Sequence, residues 1–267
     1  MCNGIDQLAG AVGKFLEVVP DLYDDTLKPA AKESGKALSR IPRIINAALA
    51  PLDIWILNKE YNIEETKKLL AKKLENVEPE KIVPPEPYVA VPALQAISYS
   101  MNSEELRNMY ANLLANSMNS DLKDSVHPSF VEIIKQLSPF DATLLNLLST
   151  NKDLSFPIIK IRYTLSESNS EGVDYKKHIV DPSLGITLDN TDKYAISIDN
   201  LIRLHLIEVS YEKRLVDTSK YANIETSNIV QIIKSSVKSP HYTYFKIMQG
   251  LLNISPLGNS FIENCVV

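Results

Sequence analysis

The sequence predicts a mainly α-helical protein with a smaller α/β part. Two observations support this fold class. Up to about residue 150, apolar residues recur at intervals of three and four positions, which is the spacing of amphipathic helices. Beyond that point, short runs rich in β-branched and aromatic residues appear, as expected for strands. A chain of 267 residues with 45% hydrophobic and 23% charged residues can bury a good core and is typical of a folded protein.

Changes of pattern along the chain divide it into four segments. We predict an N-terminal amphipathic helical region at 1–77, a proline-rich connector at 78–92, a central helical core at 93–150 and a C-terminal winged-helix-like α/β module at 151–267. The connector, EPEKIVPPEPYVAVP, holds five prolines and is therefore expected to be extended rather than helical.

The N-terminal region contains three amphipathic stretches. Apolar residues lie on one side of the helices predicted at 5–19, 41–57 and 62–77, and Asn62 is a candidate N-cap for the third helix. Pro51 is expected to kink the second helix or to divide it in two.

The stretch IPRIINAALAPLDIWIL at 41–57 raises the question of a membrane. Its seventeen mostly apolar residues are fewer than the roughly 20 that span a bilayer, and one arginine and one aspartate lie among them. We therefore expect no span in the resting protein, whereas a helix that is buried at rest and released onto a membrane later fits the pattern. The candidate residues for contact with a membrane or partner are Ile44, Ile45, Leu52 and Trp55. The alternative is that Trp55 fills the core of the N-terminal helices.

The central core holds the most strongly patterned part of the chain, LRNMYANLLANSM at 106–118. Its apolar residues repeat at helical spacing, and Asn102 is a candidate N-cap with an acidic residue at the third helical position. A short helix is predicted within PSFVEIIKQL. A further helix is predicted to start at Ser138, with Pro139 at its first position and Asp141 at its third.

The C-terminal module is predicted to combine strands and helices. We expect a strand at 156–165, a polar loop at 166–192 and a helix that becomes a strand at 197–210. The stretch 243–267 is predicted to form two strands joined by a tight turn, and then a terminal helix that begins at Ser255. A helix followed by a β-hairpin resembles a winged helix, in which one helix commonly reads DNA.

Nucleic-acid binding is the alternative function, with Arg203, Lys213 and Arg214 as candidate contacts. The charge does not favour it. Residues 195–267 hold seven lysines and arginines against six acidic residues, and the whole chain carries a net charge of −5. Surfaces that bind phosphate backbones usually gather several cations on one face. We therefore expect this module to serve packing or protein interaction, and we do not expect nucleic acid to be a partner.

Catalytic and metal-binding patterns are missing from the sequence. It contains no GxxxxGK[ST], HExxH, GxSxG or GxGxxG motif, and its four histidines are scattered. His127 could act as a general base beside an aspartate. The simpler interpretation is that His127 ends a loop while Pro128 and Ser129 set a helix start. We predict a protein without catalytic residues, and no cofactor or metal is implied.

Cysteine usage and the N-terminus bear on location. Cys2 and Cys265 lie near opposite ends of the chain and form neither a disulfide framework nor a metal-binding spacing, which fits a reducing compartment. The N-terminus lacks the basic and clean apolar segments of a secretory signal. We expect a cytoplasmic protein that associates with a membrane when active.

Five blocks of the sequence, in this order, resemble the abortive infection alpha (Abi-alpha) family of bacterial proteins. They are KPAAKESGKALSRIP (28–42), EPYVAVPALQAISYSMNSEELRNMYANLLANSM (86–118), VHPSFVEIIKQLSPFDATLL (126–145), NLIRLHLIEV (200–209) and SPLGNSFIENC (255–265). One departure is His205, which stands in RLHLI where the family pattern leads us to expect glycine. The resemblance implies a link to abortive infection, in which a bacterium halts or dies when a phage infects it. It carries over no catalytic residue.

The favoured hypothesis is a non-enzymatic antiphage defence protein. Infection would disturb the packing between the N-terminal helices and the core, and would free the region 5–57 to act on a membrane or partner. The partners that this hypothesis admits are a phage-derived trigger, a host protein, a membrane on activation and further copies of the chain.

Overall fold

A computed structural model describes residues 41–50, 60–97, 100, 102–150, 155–168, 171–236 and 244–267, with the backbone alone for residues 60–65. The chain forms two compact units. The first reaches to Gln136 and also includes Asn264–Val267, and the second consists of Leu137–Glu263. Helices predominate beside one antiparallel sheet, so the fold is mixed α/β and mainly α, which confirms the predicted fold class at that level.

The described secondary-structure elements of the first unit are helices, apart from an isolated β-bridge between Ile82 and Asn119. Its helices are α1 (Ile41–Leu49), α2 (Glu60–Lys73), α3 (Pro87–Ile97), α4 (Glu104–Ser117) and α5 (Ser129–Lys135), with 3-10 turns at Pro79–Lys81 and Lys123–Ser125. α1 packs on α2, and α4 packs on α2, α3 and α5. The apolar set of α4 that the helical spacing predicts is buried at Met109, Tyr110, Leu113 and Leu114.

The proline-rich stretch is less extended than expected, because α3 begins at Pro87 and includes Pro92. Proline suits the first turn of a helix, where its missing N–H is not needed. Pro92 lies further inside and removes one backbone hydrogen bond. The buried side of α3, with Val89, Ala90 and Ala93, compensates for that loss. Tertiary burial here outweighs the local preference against a helix.

Two asparagines of LRNMYANLLANSM lie one turn apart on α4 and bind the end of the chain. Asn112 Nδ2 donates to the Cys265 carbonyl at 3.0 Å, and Asn116 Nδ2 donates to the Asn264 carbonyl at 3.1 Å. The Ser125 hydroxyl donates to Asn264 Oδ1 at 3.0 Å. We call these five residues the C-terminal clamp, and it holds the last residues within the first unit.

The second unit is built on an antiparallel sheet. Its strands are β1 (Ser155–Thr164), β2 (Gly172–Val180), β3 (Ile207–Ser210) and β4 (Tyr244–Ile254), in the spatial order β2-β1-β4-β3. Its helices are α6 (Pro139–Thr150), α7 (Thr191–Arg203), α8 (Ala222–Glu225), α9 (Asn228–Ser236) and α10 (Pro256–Phe261), with 3-10 turns at Pro182–Leu184, Leu188–Asn190 and Thr218–Tyr221. A π-helical turn, Ile262–Val266, follows α10.

Three expectations for this part of the chain differ from the structure. The polar loop predicted at 166–192 is wrong in its centre, where Gly172–Val180 forms β2. Tyr244–Ile254 is one continuous strand rather than two strands with a tight turn. The winged-helix arrangement is not confirmed, because α8 and α9 lie in the chain between the paired strands β3 and β4, where a wing would have a short turn.

Two predicted helix starts are confirmed, one is shifted by a residue, and the start predicted at Asn62 is wrong because α2 already begins at Glu60. Ser138 and Asp141 cap α6 reciprocally: Ser138 Oγ accepts from Asp141 N at 3.1 Å, and Asp141 Oδ2 accepts from Ser138 N at 2.7 Å. Ser255 caps α10 with its hydroxyl. α4 is capped by Ser103 rather than by Asn102.

Candidate functional site

The residues predicted to contact a membrane or partner fall partly on α1. Ile44 and Ile45 are 2% and 0% exposed. Leu52 and Trp55 lie outside the described residues. Within the part of the chain that the structure describes, no helix combines the length and apolar character needed to cross a membrane. The apolar side of α1 is therefore a packing surface in this conformation, and α2 is the helix it meets.

Arg203 ends α7, and its guanidinium group binds within the same helix. Its Nε and Nη2 donate to Asn200 Oδ1 at 3.1 and 2.7 Å. Asn200 Nδ2 in turn donates to Asp141 Oδ2 at 3.0 Å. Lys213 and Arg214 are exposed in the loop after β3. The geometry thus gives Arg203 a positioning role toward Asn200, and the nucleic-acid role of the three cations stays a prediction.

Asp141 is a structural carboxylate. It is 3% exposed and accepts hydrogen bonds from Ser138 N, Ser197 Oγ and Asn200 Nδ2. Both of its oxygens are therefore occupied. The arrangement ties α6 to the middle of α7 and satisfies a buried carboxylate with three donors.

His127 sets the start of α5, which agrees with the simpler of its two interpretations. Its Nδ1 accepts from Ser129 N at 3.1 Å and lies 2.7 Å from Ser129 Oγ. The ring of His127 also lies beside that of Phe130, with centroids 5.9 Å apart. His127 thus stabilises the turn that leads into a short helix.

The sheet carries a polar network that the sequence did not predict, formed by His178, Asp199 and Tyr211. The register of β1 and β2 shifts around His178, which takes a φ of 59° there, as a bulged residue can. His178 Nε2 lies 3.0 Å from Asp199 Oδ1, and Nδ1 lies 3.1 Å from Tyr211 Oη. His178 N also donates to Tyr211 Oη at 3.1 Å. Tyr211 therefore donates its own proton to Nδ1, and the ring carries its proton on Nε2, facing Asp199.

Burial keeps this network neutral at its centre. It lowers the pKa of His178, although Asp199 acts in the opposite direction. It raises the pKa of Tyr211 to about 12. At neutral pH the imidazole and the phenol are therefore both uncharged and their hydrogen bonds are satisfied. The network fixes the bulge in β2, and it holds no activated nucleophile.

A group of charges next to this network forms what we call the Asp174 cluster, consisting of Lys160, Arg162, Asp174 and Lys177. Asp174 Oδ1 lies 2.6 Å from Arg162 Nη1, and Asp174 Oδ2 lies 3.1 Å from Lys160 Nζ and 3.8 Å from Lys177 Nζ. Burial raises the pKa of Asp174, but hydrogen bonds from Arg162 and Lys160 outweigh that effect and hold the pKa below its usual range. Asp174 is therefore ionised at neutral pH, and three basic side chains surround it. Lys160 Nζ also lies 4.9 Å from the centre of the Tyr211 ring.

A cleft of about 310 Å³ lies beside the start of β1 and the end of β2. It is lined by Phe156, Pro157, Asp181, Ser183, Leu184, Ser219, Lys220 and Asn223. Asp181 Oδ1 accepts from Ser183 N at 2.8 Å and from Asn223 Nδ2 at 2.7 Å. The carboxylate thus joins two segments of the chain. The cleft is at the small end of the range in which ligands of drug size bind.

In the described ranges, the remaining nucleophilic and metal-binding side chains form no further candidate site. No group of three histidine, cysteine, aspartate or glutamate side chains there could hold a metal ion. Cys265 is buried in the C-terminal clamp, and burial raises the pKa of its thiol well above the usual value. The thiol is therefore protonated and unreactive at neutral pH.

Little in the sequence pattern indicates the Asp174 cluster or the His178 network. Their members are spread from residue 160 to residue 211 and come together through β2, which the sequence pattern does not predict. One signal was present: Val173 and Tyr175 alternate with Asp174 and Lys176. Such alternation indicates a strand with one polar face.

The two units form a mixed helix-and-sheet protein. In the described residues, its polar networks stabilise the fold, and the Asp174 cluster gathers several charged side chains. The family model described as abortive infection alpha matches residues 58–265, which is more than half of the chain. The chain belongs to the abortive infection alpha family, as the resemblance of its sequence blocks predicts.

Comparison with solved structures finds similarity to the uncharacterized protein from the hydrocarbon-degrading marine bacterium Alcanivorax borkumensis SK2. The two chains are 19% identical, with a TM-score of 0.32, and the match covers 49% of this chain and 88% of that chain. No match is found among curated proteins.

Proposed function

We propose that this chain is a non-enzymatic antiphage defence protein of the abortive-infection type, which acts through its N-terminal helical region on a membrane or a protein partner. The observation that carries the proposal is its membership of the abortive infection alpha family, with a match across residues 58–265. A protein that halts its own cell must be inactive until infection. It therefore needs a stable resting state and a means of release.

α1 supplies a physical basis for such a resting state. Its apolar side is buried, with Ile44 and Ile45 almost fully covered, and it packs on α2. Burying one side chain of this size contributes about 1.5–3 kcal/mol. Release of α1 therefore costs the free energy of burial of several apolar side chains. It also exposes an amphipathic surface that suits a membrane interface or a groove on a partner.

The trigger has to supply that free energy. A phage-derived molecule or a host protein does so if it binds the released conformation more tightly than the resting one. In this proposal the protein is cytoplasmic at rest and reaches a membrane only when active. Leu52 and Trp55, which continue the apolar stretch beyond α1 in the sequence, make the contact with the membrane or partner.

Phage plating on cells that produce the full chain, with host survival scored at high phage dose, tests the proposal. Protection of the culture together with death of infected cells is the expected result. Ile45→Asp places a charge in the packing surface of α1, so we expect growth arrest without phage. Asn46→Asp, at an exposed position of the same helix, is the matched control and should grow like the wild type.

Two outcomes would overturn the proposal. Survival of infected cells in a protected culture would exclude an abortive mechanism. Unchanged killing by a Leu52→Ser, Trp55→Ser double variant would exclude the N-terminal region as the effector. Uptake of dye by dying cells would indicate a damaged membrane and therefore a membrane target. Death without dye uptake would indicate a protein target.

The nucleic-acid alternative has its own test in the same protein. Salt-dependent binding to duplex DNA that is lost on changing Arg203, Lys213 and Arg214 to glutamine would replace the present proposal. Absence of a gel shift at low salt is the result we expect.

A further inference from the structure

The cleft beside the start of β1 and the end of β2 has a wall that is partly apolar. Among the described residues, those that line it all belong to the second unit. Phe156 and Leu184 are 3% and 9% exposed, and Pro157 is half-buried. Sites for small molecules typically combine such an apolar surface with a few polar groups that fix the orientation of the ligand. The polar residues of the same wall therefore decide which ligand the cleft can take.

The polar part of the wall offers hydrogen-bond acceptors. Asp181 uses one carboxylate oxygen, Oδ1, to accept from both Ser183 N and Asn223 Nδ2. In the described part of the chain, no hydrogen bond reaches its second oxygen, Oδ2. The bond to Asp181 also fixes the amide of Asn223, because only its Nδ2 can donate, and this leaves Asn223 Oδ1 as an acceptor. A ligand that binds this wall therefore has to donate hydrogen bonds.

The charges around the cleft limit the charge of that ligand. Lys220 lines the cleft together with Asp181 and is held by interactions of its own. Asp217 does not line the cleft, and its carboxylate accepts from the N and the Oγ of Ser219. A cation attracted by Asp181 also meets the positive charge of Lys220, and an anion attracted by Lys220 meets Asp181. Like charges brought together weaken binding, so a neutral ligand suits the cleft best.

We infer that the cleft binds a small neutral molecule through its N–H or O–H groups. These groups donate to Asp181 Oδ2 and Asn223 Oδ1, and an apolar face of the ligand lies on Phe156, Pro157 and Leu184. Nucleosides and monosaccharides share this chemistry, since both are uncharged rings with several donors. The volume of about 310 Å³ is at the lower limit for ligands of drug size and therefore fits molecules of this kind. The site lies outside the N-terminal helical region that the proposed function uses, so either proposal can fail alone.

Saturation-transfer NMR on the purified full chain tests the inference, because it detects weak ligands directly. One arm uses adenosine, guanosine, cytidine and uridine, and the other uses glucose, galactose and mannose. Each ligand is present at about 1 mM, which already corresponds to weak affinity. Transfer in either arm supports the site, and the arm identifies the source. A neutral ligand should bind with the same affinity at about 0.1 M and at about 1 M salt, because salt screens interactions between charges.

Asp181→Asn changes the open acceptor and little else. Asparagine keeps an oxygen that can accept from Ser183 N and Asn223 Nδ2, and it places a donor where Asp181 Oδ2 was. We expect about tenfold weaker binding, the equivalent of one hydrogen bond to a charged group. Asp189→Asn makes the same change of charge at an exposed position of the same unit that does not line the cleft, and it should leave the affinity unchanged.

Ser183→Phe tests the place of binding separately from its chemistry. Ser183 is exposed and lines the cleft, and its backbone N–H bond to Asp181 does not depend on its side chain. A phenyl ring at this position fills the cleft. We therefore expect loss of binding together with a melting temperature close to that of the wild type.

Three results would overturn the inference. One is the absence of saturation transfer to every ligand of both arms. Another is equal affinity in the wild type, Asp181→Asn and Ser183→Phe. The third is binding of arginine or citrate in place of the neutral ligands, which would show that the cleft selects a charged molecule.

Discussion

His205 follows α7 at a position that requires a left-handed backbone, and its φ is 57°. Leu206 N donates to the Leu201 carbonyl at 3.0 Å and His205 N donates to the Ile202 carbonyl at 2.9 Å. This pair of bonds is the Schellman ending of a helix, in which the left-handed residue is most often glycine. The geometry gives a physical reason for the glycine that the family pattern leads us to expect in RLHLI.

His205→Gly should therefore stabilise the protein. A left-handed backbone costs an L-residue about 1–2 kcal/mol. Glycine also makes the unfolded chain more flexible, which offsets about 0.5–1 kcal/mol of that stabilisation. We expect a net rise of about 0.5–1 kcal/mol in the free energy of unfolding, measured in urea. His205→Ala keeps the left-handed cost and is the control, so an equal gain in both variants would contradict this account.

The lowered pKa of His178 predicts a dependence of stability on pH. The folded protein binds a proton at this ring less readily than the unfolded chain, in which the pKa of histidine is about 6.5. This contribution to stability is therefore complete above about pH 6.5 and is lost as the pH falls from there toward the folded-state pKa. Asp199 on α7, Lys160 on β1, Lys177 on β2 and Tyr211 after β3 are the charged and titratable groups around the ring.

His178→Asn isolates that contribution, because asparagine tolerates the left-handed backbone and does not titrate. We compare free energies of unfolding at about pH 7.5 and pH 5.5, on either side of the histidine range. The wild type should lose more stability than the variant over this interval. The other histidines are common to both proteins and cancel. An equal loss of stability in both proteins would show that the pKa of His178 is the same in the folded and unfolded states.

At the scale of elements, α10 meets the turn after α7 through a contact between backbones. A Cβ on Gly258 would lie 1.9 Å from the carbonyl oxygen of Leu206. That carbonyl also accepts from Ser255 N at 3.0 Å. The start of α10 is thus fixed against the Leu206 turn, with no room for a side chain.

Gly258→Ala should accordingly destabilise the protein, by about 2–3 kcal/mol, since the added methyl group meets backbone and not a side chain that can move aside. Thermal unfolding provides the measurement. Asn259→Ala changes the exposed neighbour in the same helix and should stay within about 0.5 kcal/mol of the wild type. A small effect at Gly258 would mean that α10 can shift away from the turn.

Elements with one buried side and a recognisable cap could be predicted from the sequence. α4 shows its buried residues at helical spacing, and Ser138 with Asp141 forms the cap that their spacing indicates. Elements whose pattern is weak or interrupted could not. β2 is an outer strand of the sheet, polar along much of its length, and two register shifts break its alternation. α3 could not be predicted either, because Pro92 lies inside it and proline is unfavourable in the interior of a helix.

The candidate sites follow the same division. Ile44 and Ile45 could be placed on one side of a helix from spacing alone, although their burial depends on α2. The Asp174 cluster could not be found, because it requires the register that sets Arg162 opposite Asp174. Register is a tertiary property here. The sequence between the two strands is mostly polar, and its composition does not fix which residues pair.

At the scale of the whole molecule, the chain returns to its first unit at its last four residues, Asn264–Val267. The C-terminal clamp makes that return specific, since Asn112 and Asn116 both donate to carbonyls of this segment. The side-chain amides of Asn112, which is buried, and Asn116, which is half-buried, therefore depend on residues far away in the sequence. The integrity of the first unit is thus tied to the very end of the chain.

Deleting Asn264–Val267 should loosen the first unit selectively. Asn112 is only 6% exposed and would lose its acceptor, and a buried polar group left without a partner costs about 1–3 kcal/mol. Hydrogen exchange of the full chain and the truncated chain gives the measurement. We expect faster exchange along α4 and unchanged protection along β1, which lies in the other unit. Deleting only Val267, which is 80% exposed, is the control and should leave both elements protected. Equal loss of protection in α4 and β1 would instead show that the two units open together as one cooperative structure.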